Sequence, residues 1–378
     1  MTFRLPPYPY DRLDGLAKLA DAHPGGMVDC SIGTPCDPPP SAVVDALASS
    51  DTERGYPVSA GSPALRHAAA AWLVRRFGLG ESAVPASSVA ACVGTKEFVA
   101  AVPHLLRLRT PDRDTVLYPA VSYPTYAMGA ELAGCRAVAI PPPPGRLGGL
   151  DLGAVDAADA ARALLLWSNS PSNPTGGLGD LGAEAGWGRA KGIPVFSDEC
   201  YAAFTWEAAP RSVLQHGPEG VVAVHSLSKR SNLAGLRVGF YAGDTELVEF
   251  LRAVRQHAGL MVPGPAQAAG VAALGDEEHV EAQRARYRER LEFLAGILGA
   301  YGCPVALPQG GFYLWVPVPE GRWRDAWAMA EALAADGGLL VSPGDLYGER
   351  GAGHVRVAVV QPMERLAVVG ERLRRLNA

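Results

Sequence analysis

The segment Val221-Val-Ala-Val-His-Ser-Leu-Ser-Lys229 leads from an apolar run into a lysine flanked by hydroxyl groups, and Gly235-Leu-Arg-Val-Gly239 follows it. The run Val221–His225 predicts a buried strand, so Lys229 lies just beyond a strand end. Partial burial near Arg237 favours the uncharged amine, which is the form of lysine that makes a Schiff base. Lysine chemistry has few other candidates, because the chain has only four lysines: Lys18, Lys96, Lys191 and Lys229.

Strand-like and helix-like runs alternate on both sides of this segment. The predicted strands before and after it are Val89–Val93, Thr115–Tyr118, Arg136–Ile140, Ala163–Trp167, Pro194–Ser197 and Leu236–Tyr241. The predicted helices among them are Ser62–Phe77, Lys96–Leu108, Tyr123–Ala133 and Leu181–Lys191. This alternation predicts an α/β fold with a mostly parallel sheet flanked by helices. Ligands bind such sheets at the carboxyl ends of the strands, so we look for chemistry there.

The composition changes after Asp244 to charged helices, of which Glu277–Leu298 is the most periodic. A smaller α+β domain is predicted beyond it, with strands and a closing helix at Phe312–Val316, Leu339–Val341, His354–Val360 and Met363–Leu376. Residues 1–10, with prolines at positions 6, 7 and 9, predict an extended arm. We therefore expect an arm and part of the small domain over residues 1–40, a large domain over 41–280 and a small domain over 281–378.

The composition excludes several classes of protein. The 378 residues are 48% apolar and 19% charged, which is typical of a folded protein. The net charge of −5 and the lack of a basic run give no support to nucleic-acid binding. We expect no metal site, because the six cysteines form no C-x-x-C pair. The first residues lack the pattern of a secretory signal, so the expected location is cytoplasmic.

Polar residues follow several of the predicted strands. Asp198 directly follows an apolar strand, where a carboxylate can pair with a protonated ring nitrogen, and the phenol of Tyr201 comes three residues later. Asn173 lies in the rigid loop 168–176 and can donate to an aromatic oxygen. Tyr123 can stack on a planar ring. These residue types suit an aromatic cofactor.

A phosphate site is predicted at Gly94-Thr95-Lys96, which begins a helix right after a strand. The N–H groups and dipole of a helix N-terminus favour an anion there, and Ser226 and Arg237 can complete the cup. Arg356 lies in the middle of a predicted strand and needs a carboxylate partner, from a neighbouring side chain or from a substrate.

Two other motifs suggest different chemistry. Gly177-Leu-Gly-Asp-Leu-Gly182 matches the dinucleotide fingerprint, with Asp198 at a suitable distance, so an NAD-dependent dehydrogenase is an alternative. However, nine residues with two prolines separate it from Trp167, whereas the fingerprint requires glycine at the strand end. Ser226-x-x-Lys229 also matches the acyl-serine motif of penicillin-binding proteins, but the sequence has no Lys-Thr-Gly or Ser-Asp-Asn partner.

Taken in order along nearly the whole chain, these motifs resemble the class I/II aminotransferases of the fold-type I pyridoxal-phosphate enzymes. The spacing Lys-x5-Gly-x-Arg-x-Gly from Lys229 to Gly239 is specific for that family. Within it, residues 3–13, Gly55-Tyr-Pro and residues 228–235 are most similar to the actinobacterial N-succinyldiaminopimelate aminotransferases. The loop Gly33–Asp37 departs from the family pattern by one extra residue, which leaves side-chain specificity open.

The resemblance implies a role for each matching residue. Lys229 would carry pyridoxal 5'-phosphate as a Schiff base and move the substrate proton, and Asp198 would keep the pyridine nitrogen protonated. The ring oxygen would be bound by Asn173 and Tyr201, and the ring face by Tyr123. The phosphate would be bound by Gly94, Thr95, Lys96, Ser226 and Arg237, with Tyr56 from the second subunit of a homodimer. Arg356 and the backbone at Gly33 would hold the substrate carboxylate.

The expected reaction is therefore transamination from L-glutamate to a 2-oxo acid in the large pyridoxal-phosphate-binding domain. By resemblance, the acceptor is N-succinyl-2-amino-6-oxopimelate, which gives N-succinyl-LL-2,6-diaminopimelate for lysine biosynthesis. The partners are small amino and oxo acids, with no nucleic acid and no membrane. Another aminotransferase, a pyridoxal-phosphate C–S lyase or decarboxylase, a dehydrogenase and a cofactor-binding transcription regulator remain as alternatives.

Overall fold

The computed structural model describes residues 6–375. Its α-helices in chain order are α1 (Asp14–Asp21), α2 (Ser41–Ala48), α3 (Pro63–Phe77), α4 (Thr95–Arg109), α5 (Thr125–Leu132), α6 (Ala157–Arg162), α7 (Leu181–Lys191), α8 (Leu227–Arg230), α9 (Thr245–His257), α10 (Gly264–Gly275), α11 (Glu278–Ala300), α12 (Ala326–Gly337) and α13 (Met363–Arg375). Its strands are β1 (Val28–Asp29), β2 (Val89–Cys92), β3 (Thr115–Pro119), β4 (Arg136–Ile140), β5 (Ala163–Asn169), β6 (Val195–Asp198), β7 (Val221–Ser226), β8 (Gly239–Gly243), β9 (Tyr313–Pro317), β10 (Leu339–Leu340), β11 (Ser342–Pro343) and β12 (His354–Ala358).

The larger of two compact units comprises residues 37–285 and 309–311. It contains a seven-stranded sheet in the order β2-β8-β7-β6-β5-β3-β4. Strand β8 is antiparallel to β2 and β7, and the other neighbouring pairs are parallel. The predicted α/β fold with a mostly parallel sheet is confirmed.

Helices cover both faces of this sheet. Along β7, Val221 and Ala223 belong to one apolar cluster, whereas Val222 and Val224 belong to another. Because successive side chains of a strand point to opposite faces, a continuous apolar run is what a sheet buried on both sides requires. Side chains of α3, α7 and α10 complete the first cluster, and those of α4, α5 and α9 complete the second.

The smaller unit comprises, among the described residues, 6–36, 286–308 and 312–375. It contains an antiparallel sheet in the order β11-β12-β9 and a short parallel pair, β1 and β10. Helix α12 packs against α1 and α13 within it. The chain passes from the larger to the smaller unit inside α11.

Three local predictions were wrong in part. Pro9–Leu13 forms a 3-10 helix rather than an extended arm, because proline is tolerated in the first turn of a helix; residues 1–5 of that arm lie outside the described residues. The strand predicted from Leu236 begins at Gly239, since Arg237 has a left-handed backbone with φ of 55° that interrupts the pleat. The strand predicted at Leu339–Val341 ends at Leu340 as β10, which pairs with β1, and a separate strand β11 follows it and pairs with β12.

The closing helix α13 follows the prediction to Arg375, and Leu376 lies outside the described residues. Within residues 6–375, no helix combines the length and the apolar character needed to cross a membrane.

Candidate active site

Three polar residues lie at the carboxyl ends of neighbouring strands of the large sheet. Asn169 is the last residue of β5, Asp198 of β6 and Ser226 of β7. Asn169 and Asp198 are direct partners in the parallel register. The carboxyl ends of the central strands therefore form a polar edge, where ligands of α/β sheets bind.

The Asp198 carboxylate is buried and accepts hydrogen bonds from neighbouring residues. The Tyr126 hydroxyl donates to Oδ2 at 2.7 Å, and the Cys200 backbone N–H donates to Oδ1 at 3.2 Å. Burial raises the pKa of Asp198, whereas hydrogen bonds from the Cys200 thiol, the Tyr126 hydroxyl and the Cys200 N–H oppose the rise because they stabilise the charged form. A cation brought to this carboxylate would favour its charged form further.

Asn169 connects Asp198 to the loop that carries Asn173. Its Nδ2 donates to the Asp198 carbonyl at 2.9 Å, and its Oδ1 accepts from the Asn173 N–H at 2.8 Å. Asn173 and Tyr201 are both 6% exposed. The predicted ring-oxygen ligands are thus held beside the Asp198 strand.

The phosphate site is predicted at the N-terminus of α4. Gly94 is its N-cap with φ of 74°, and a Cβ atom there would overlap the Arg237 guanidinium, so the position requires glycine. Arg237 donates to the carbonyls of Ala234 at 2.9 Å and Val93 at 3.4 Å. Lys96 and Arg237 are exposed. A helix N-terminus with two cations beside it suits a phosphate dianion.

Lys229 lies on the single turn α8, which Ser226 caps by accepting the Ser228 N–H at 3.2 Å. Lys229 is half-buried. Burial raises the pKa of the Cys200 thiol, and Lys229 is near enough for its charge to oppose that rise. The Cys200 thiol in turn donates to Thr95 Oγ1 at 3.4 Å. The structure therefore places Lys229 and Thr95 around Cys200, two residues from Asp198.

The aromatic residues differ in their positions. Tyr123 is half-buried, with its ring centroid 6.0 Å from that of Tyr126 in an edge-on arrangement. Tyr126 stacks on Trp167 at 5.2 Å. The structure does not bring Tyr56 into this group: its side chain, in the loop between α2 and α3, is 98% exposed.

Gly33 and Arg356 belong to the smaller unit. Arg356 is 2% exposed, and its guanidinium lies 4.3 Å from the Tyr313 ring and 4.6 Å from the Tyr347 ring. Its Nη2 donates to the Ser31 carbonyl. A Cβ atom at Gly33 would overlap the Tyr313 hydroxyl, so Gly33 and Arg356 border the same ring.

The glycine motif of the dehydrogenase alternative has a different environment. Gly177 packs directly on the backbone of Leu147 and Gly148. The N-terminus of α7 is capped by Asp180, which accepts the Ala183 N–H at 3.0 Å. Because the chain's own carboxylate occupies this helix end, the motif lacks the anion site that a dinucleotide requires.

Two contributors to the Asp198 network were not predicted, namely Tyr126 and Asn169. Tyr126 lies three residues after Tyr123, a spacing that places both on one face of the helix predicted over Tyr123–Ala133, although α5 begins only at Thr125. That spacing is the signal that could have singled out Tyr126. The hydrogen bond itself joins residues 72 positions apart and depends on the fold.

Residues 26–373 match the family model of aminotransferase class I and II. The chain belongs to the class I and II aminotransferases. It is 44% identical to the probable aminotransferase Rv1178 of Mycobacterium tuberculosis (strain ATCC 25618 / H37Rv), over 98% of this chain and 85% of that protein. It is 42% identical to the 4-dedimethylamino-4-oxo-anhydrotetracycline transaminase OxyQ of Streptomyces rimosus, over 98% of this chain and 99% of that protein.

Among solved structures, this aminotransferase is similar to a probable N-succinyldiaminopimelate aminotransferase from Thermus thermophilus. The TM-score is 0.85 and the identity 32%, over 97% of this chain and 99% of that chain. Aminotransferases of class I and II depend on pyridoxal 5'-phosphate and act on amino and oxo acids, and this chain is therefore a pyridoxal-phosphate enzyme. The residues fit the cofactor: the α4 N-terminus suits its phosphate, and the buried Asp198 carboxylate suits its protonated nitrogen.

Proposed function

We propose that this aminotransferase transfers the amino group of L-glutamate to N-succinyl-2-amino-6-oxopimelate, which gives N-succinyl-LL-2,6-diaminopimelate for lysine and cell-wall biosynthesis. The observation that carries this choice is the likeness to the Thermus thermophilus structure, which extends over 97% of the chain. The sequence 228–235, which contains the site lysine, supports the same choice by its resemblance to that group of enzymes.

Lys229 has the catalytic role in this proposal. When bound, pyridoxal 5'-phosphate withdraws electrons from the substrate α-carbon and so acidifies its proton. The Lys229 Nζ takes that proton from the α-carbon and delivers it on the cofactor side. Partial burial of Lys229 supports this role, because desolvation favours the uncharged amine, which is the form that acts as a base and nucleophile.

Asp198 holds the proton on the pyridine nitrogen. This requires the carboxylate form, which the Tyr126 hydroxyl and the Cys200 N–H stabilise. The pyridinium and the carboxylate would favour each other's charged forms, since opposite charges at short range do so. The buried position strengthens this interaction because little water screens it.

The remaining residues of the large unit bind and orient the cofactor. We assign the phosphate to Gly94, Thr95, Lys96, Ser226 and Arg237, the ring oxygen to Asn173 and Tyr201, and the ring face to Tyr123. Tyr56 would reach the phosphate of a second copy of the chain in a homodimer. Its 98% exposure supports this, because a large aromatic side chain so exposed is suited to contact a partner.

In the smaller unit, Arg356 and the Gly33 backbone would bind the substrate α-carboxylate. The guanidinium is held between two tyrosine rings, which fixes the plane of its donors and suits a bidentate carboxylate. In domain terms, the proposal assigns the cofactor to the large domain 41–280. The carboxylate is assigned to the small domain 281–378 together with residues 1–40.

An acceptor panel tests the substrate. Purified enzyme, loaded with pyridoxal 5'-phosphate and given L-glutamate, is offered N-succinyl-2-amino-6-oxopimelate and other oxo acids, and the aminated products are quantified by mass spectrometry. We expect kcat/KM for the succinylated acceptor to exceed the others by at least about tenfold, as discrimination by several polar contacts allows. Equal or absent turnover of that acceptor would contradict the proposal.

The likeness to OxyQ supports a second candidate, transamination of a polycyclic ketone. The chain covers 99% of that protein at 42% identity, and the name of that protein states such a substrate. The same panel includes 4-dedimethylamino-4-oxo-anhydrotetracycline. If this ketone is aminated and the succinylated acceptor is not, the second candidate replaces the first. Release of pyruvate from cystathionine would instead indicate a C–S lyase.

A further inference from the structure

The turn that carries Lys229 is too short to hold its own shape. Helix α8 has four residues, and a single helical turn is unstable unless tertiary contacts fix it. Its start is fixed by the Ser226 cap and by the Leu227 N–H, which donates to the Val238 carbonyl at 3.3 Å. The orientation of Lys229 therefore depends on what fixes the end of the turn.

Arg230, the next residue after Lys229, fixes that end. It is 3% exposed and donates to the carbonyls of Ala273 at 2.6 Å and Asp276 at 3.2 Å. It also pairs with Glu277 at 2.5 Å, and its guanidinium lies 5.3 Å from the Trp72 ring. A buried arginine is costly unless it is paired and hydrogen-bonded, and here both conditions are met.

The carbonyls that Arg230 binds end helix α10. The last carbonyls of a helix have no partner within the helix and carry its partial negative charge, so a guanidinium there is favourable. Arg230 thereby joins the lysine turn to a twelve-residue helix packed in the core. The fixed donor fork of arginine suits such a junction better than the flexible lysine ammonium.

The two residues after Arg230 also hold the lysine turn in place, through contacts with α11. The Ser231 hydroxyl lies 2.9 Å from His279 Nε2, and Asn232 Nδ2 donates to Gln283 Oε1 at 3.1 Å. Asn232 has φ of 56°, a left-handed conformation that asparagine tolerates better than most residues. His279 and Gln283 are four residues apart on α11, so one face of that helix receives both contacts.

We propose that Arg230 is a positioning residue for Lys229: by anchoring the lysine turn to the end of α10 and to Glu277, it orients the Lys229 amine toward the cofactor. This inference rests on the role proposed for Lys229. Arg230 makes no proposed contact with substrate or cofactor and acts through its neighbour Lys229.

The test compares two forms of the cofactor. Pyridoxal 5'-phosphate has an aldehyde whose carbon can bond to the Lys229 nitrogen, with the aldehyde oxygen leaving as water. Pyridoxamine 5'-phosphate has no aldehyde and binds through the phosphate and ring contacts alone. The ratio of their dissociation constants therefore isolates the contribution of the lysine amine, without any substrate.

In Arg230→Met, we expect the affinity for pyridoxal 5'-phosphate relative to pyridoxamine 5'-phosphate to fall by about 10- to 100-fold, as misplacing a reactive group does. Arg230→Lys keeps the positive charge but lacks the planar set of donors of arginine. We therefore expect its affinity ratio to lie between those of wild type and Arg230→Met. The matched control is Arg372→Met, because Arg372 is likewise buried and donates to backbone carbonyls, those of Pro24, Gly26 and Gly337. The control should lower the melting temperature and leave the ratio within about twofold.

An Arg230→Met ratio within about twofold of wild type would overturn the inference, as would an equal fall in Arg372→Met. If Arg230→Met does not fold, Glu277→Gln decides instead: its side chain is 38% exposed, and we expect a fall of about threefold in the ratio, whereas an unchanged ratio overturns the inference. Wild-type protein that binds neither form would overturn the proposed role of Lys229 together with this inference.

Discussion

Two buried carboxylates in the large unit differ in their surroundings. Asp198 ends β6 and accepts hydrogen bonds from the Tyr126 hydroxyl and the Cys200 N–H. Glu184 lies in the first turn of α7 and accepts from the Ser168 hydroxyl. Burial raises the pKa of both carboxyls, and that of Glu184 reaches about 7. Burial therefore does not by itself distinguish a functional carboxylate from a structural one.

The two carboxyl groups differ in the charged groups that can lie beside them. Asp198 is at the carboxyl edge of the sheet, where the cofactor's protonated nitrogen would provide a cation and keep it charged. Glu184 lies beside the glycines at 149 and 179, and the nearby charges of Asp180 and Arg146 act on its pKa in opposite directions. We therefore expect Asp198 to act as an anion throughout the working pH range and Glu184 to titrate near neutrality.

The largest expected effect is that of Asp198→Asn. An amide cannot hold the proton on the pyridine nitrogen, so we expect kcat for transamination to fall by about 100- to 1,000-fold, as loss of one key electrostatic group does. The measurement is steady-state kinetics with L-glutamate. The matched change, Glu184→Gln, should leave kcat within about threefold. A loss below about tenfold in Asp198→Asn would remove the distinction between the two carboxylates.

Glu184→Gln is expected to change the pH dependence of stability instead. The pKa of Glu184 is raised from an ordinary value of 4.5 to about 7, so the folded protein holds this proton more tightly than the unfolded chain. The stabilisation is complete below pH 4.5 and is lost as the pH rises through 7, by about 3 kcal/mol in total. Urea unfolding at pH 5 and pH 8 should show this loss in wild type and not in the variant. The control is Glu53→Gln at an exposed position, which should keep the wild-type dependence of stability on pH. The same dependence in Glu184→Gln would contradict the raised pKa of Glu184.

Tyr126→Phe tests the donor that keeps Asp198 charged. A hydrogen bond to a charged group contributes about 1.5–3 kcal/mol, so its loss raises the Asp198 pKa by about one unit or more. Since the carboxylate is then protonated at higher pH, the acid limb of the kcat profile should move upward by that amount. The phenyl ring keeps its packing on Trp167. Tyr118→Phe should leave the profile in place, and an unmoved limb in Tyr126→Phe would contradict the role of Tyr126.

The smallest expected effect is that of Cys200→Ala. The backbone N–H of residue 200 donates to Asp198, and the substitution retains this bond. The Cys200 thiol interacts with Thr95 and with the Asp198 carboxylate but is a weak donor, so we expect kcat to change by less than about threefold. A loss of tenfold or more would show that the side chain, rather than the backbone, supports Asp198.

The sequence allowed most of the sheet edge to be predicted, since each key residue follows an apolar run or begins a helix. Leu181–Lys191 was predicted with the bounds of α7, and α4 begins at Thr95 beside the predicted Gly94 cup. These features are local, because strand ends and helix starts depend on neighbouring residues.

Long-range contacts were not accessible in the same way. The order of strands in the sheet, the Tyr126 bond to Asp198 and the burial of Glu184 each depend on how distant segments pack. Arg230 gave no sequence signal, because a charged residue after a lysine is ordinarily exposed. Its partners lie 43 to 47 positions away, and only the fold brings them together.

We propose that Lys229, among the four lysines of the chain, carries the cofactor at this edge of the sheet. This proposal is tested most directly by loading the protein with pyridoxal 5'-phosphate, reducing it with borohydride and mapping the modified peptide by mass spectrometry. We expect the cofactor mass on the peptide that contains Lys229 and not on those with Lys18, Lys96 or Lys191. Modification of one of these three in place of Lys229, or of none, would contradict the account.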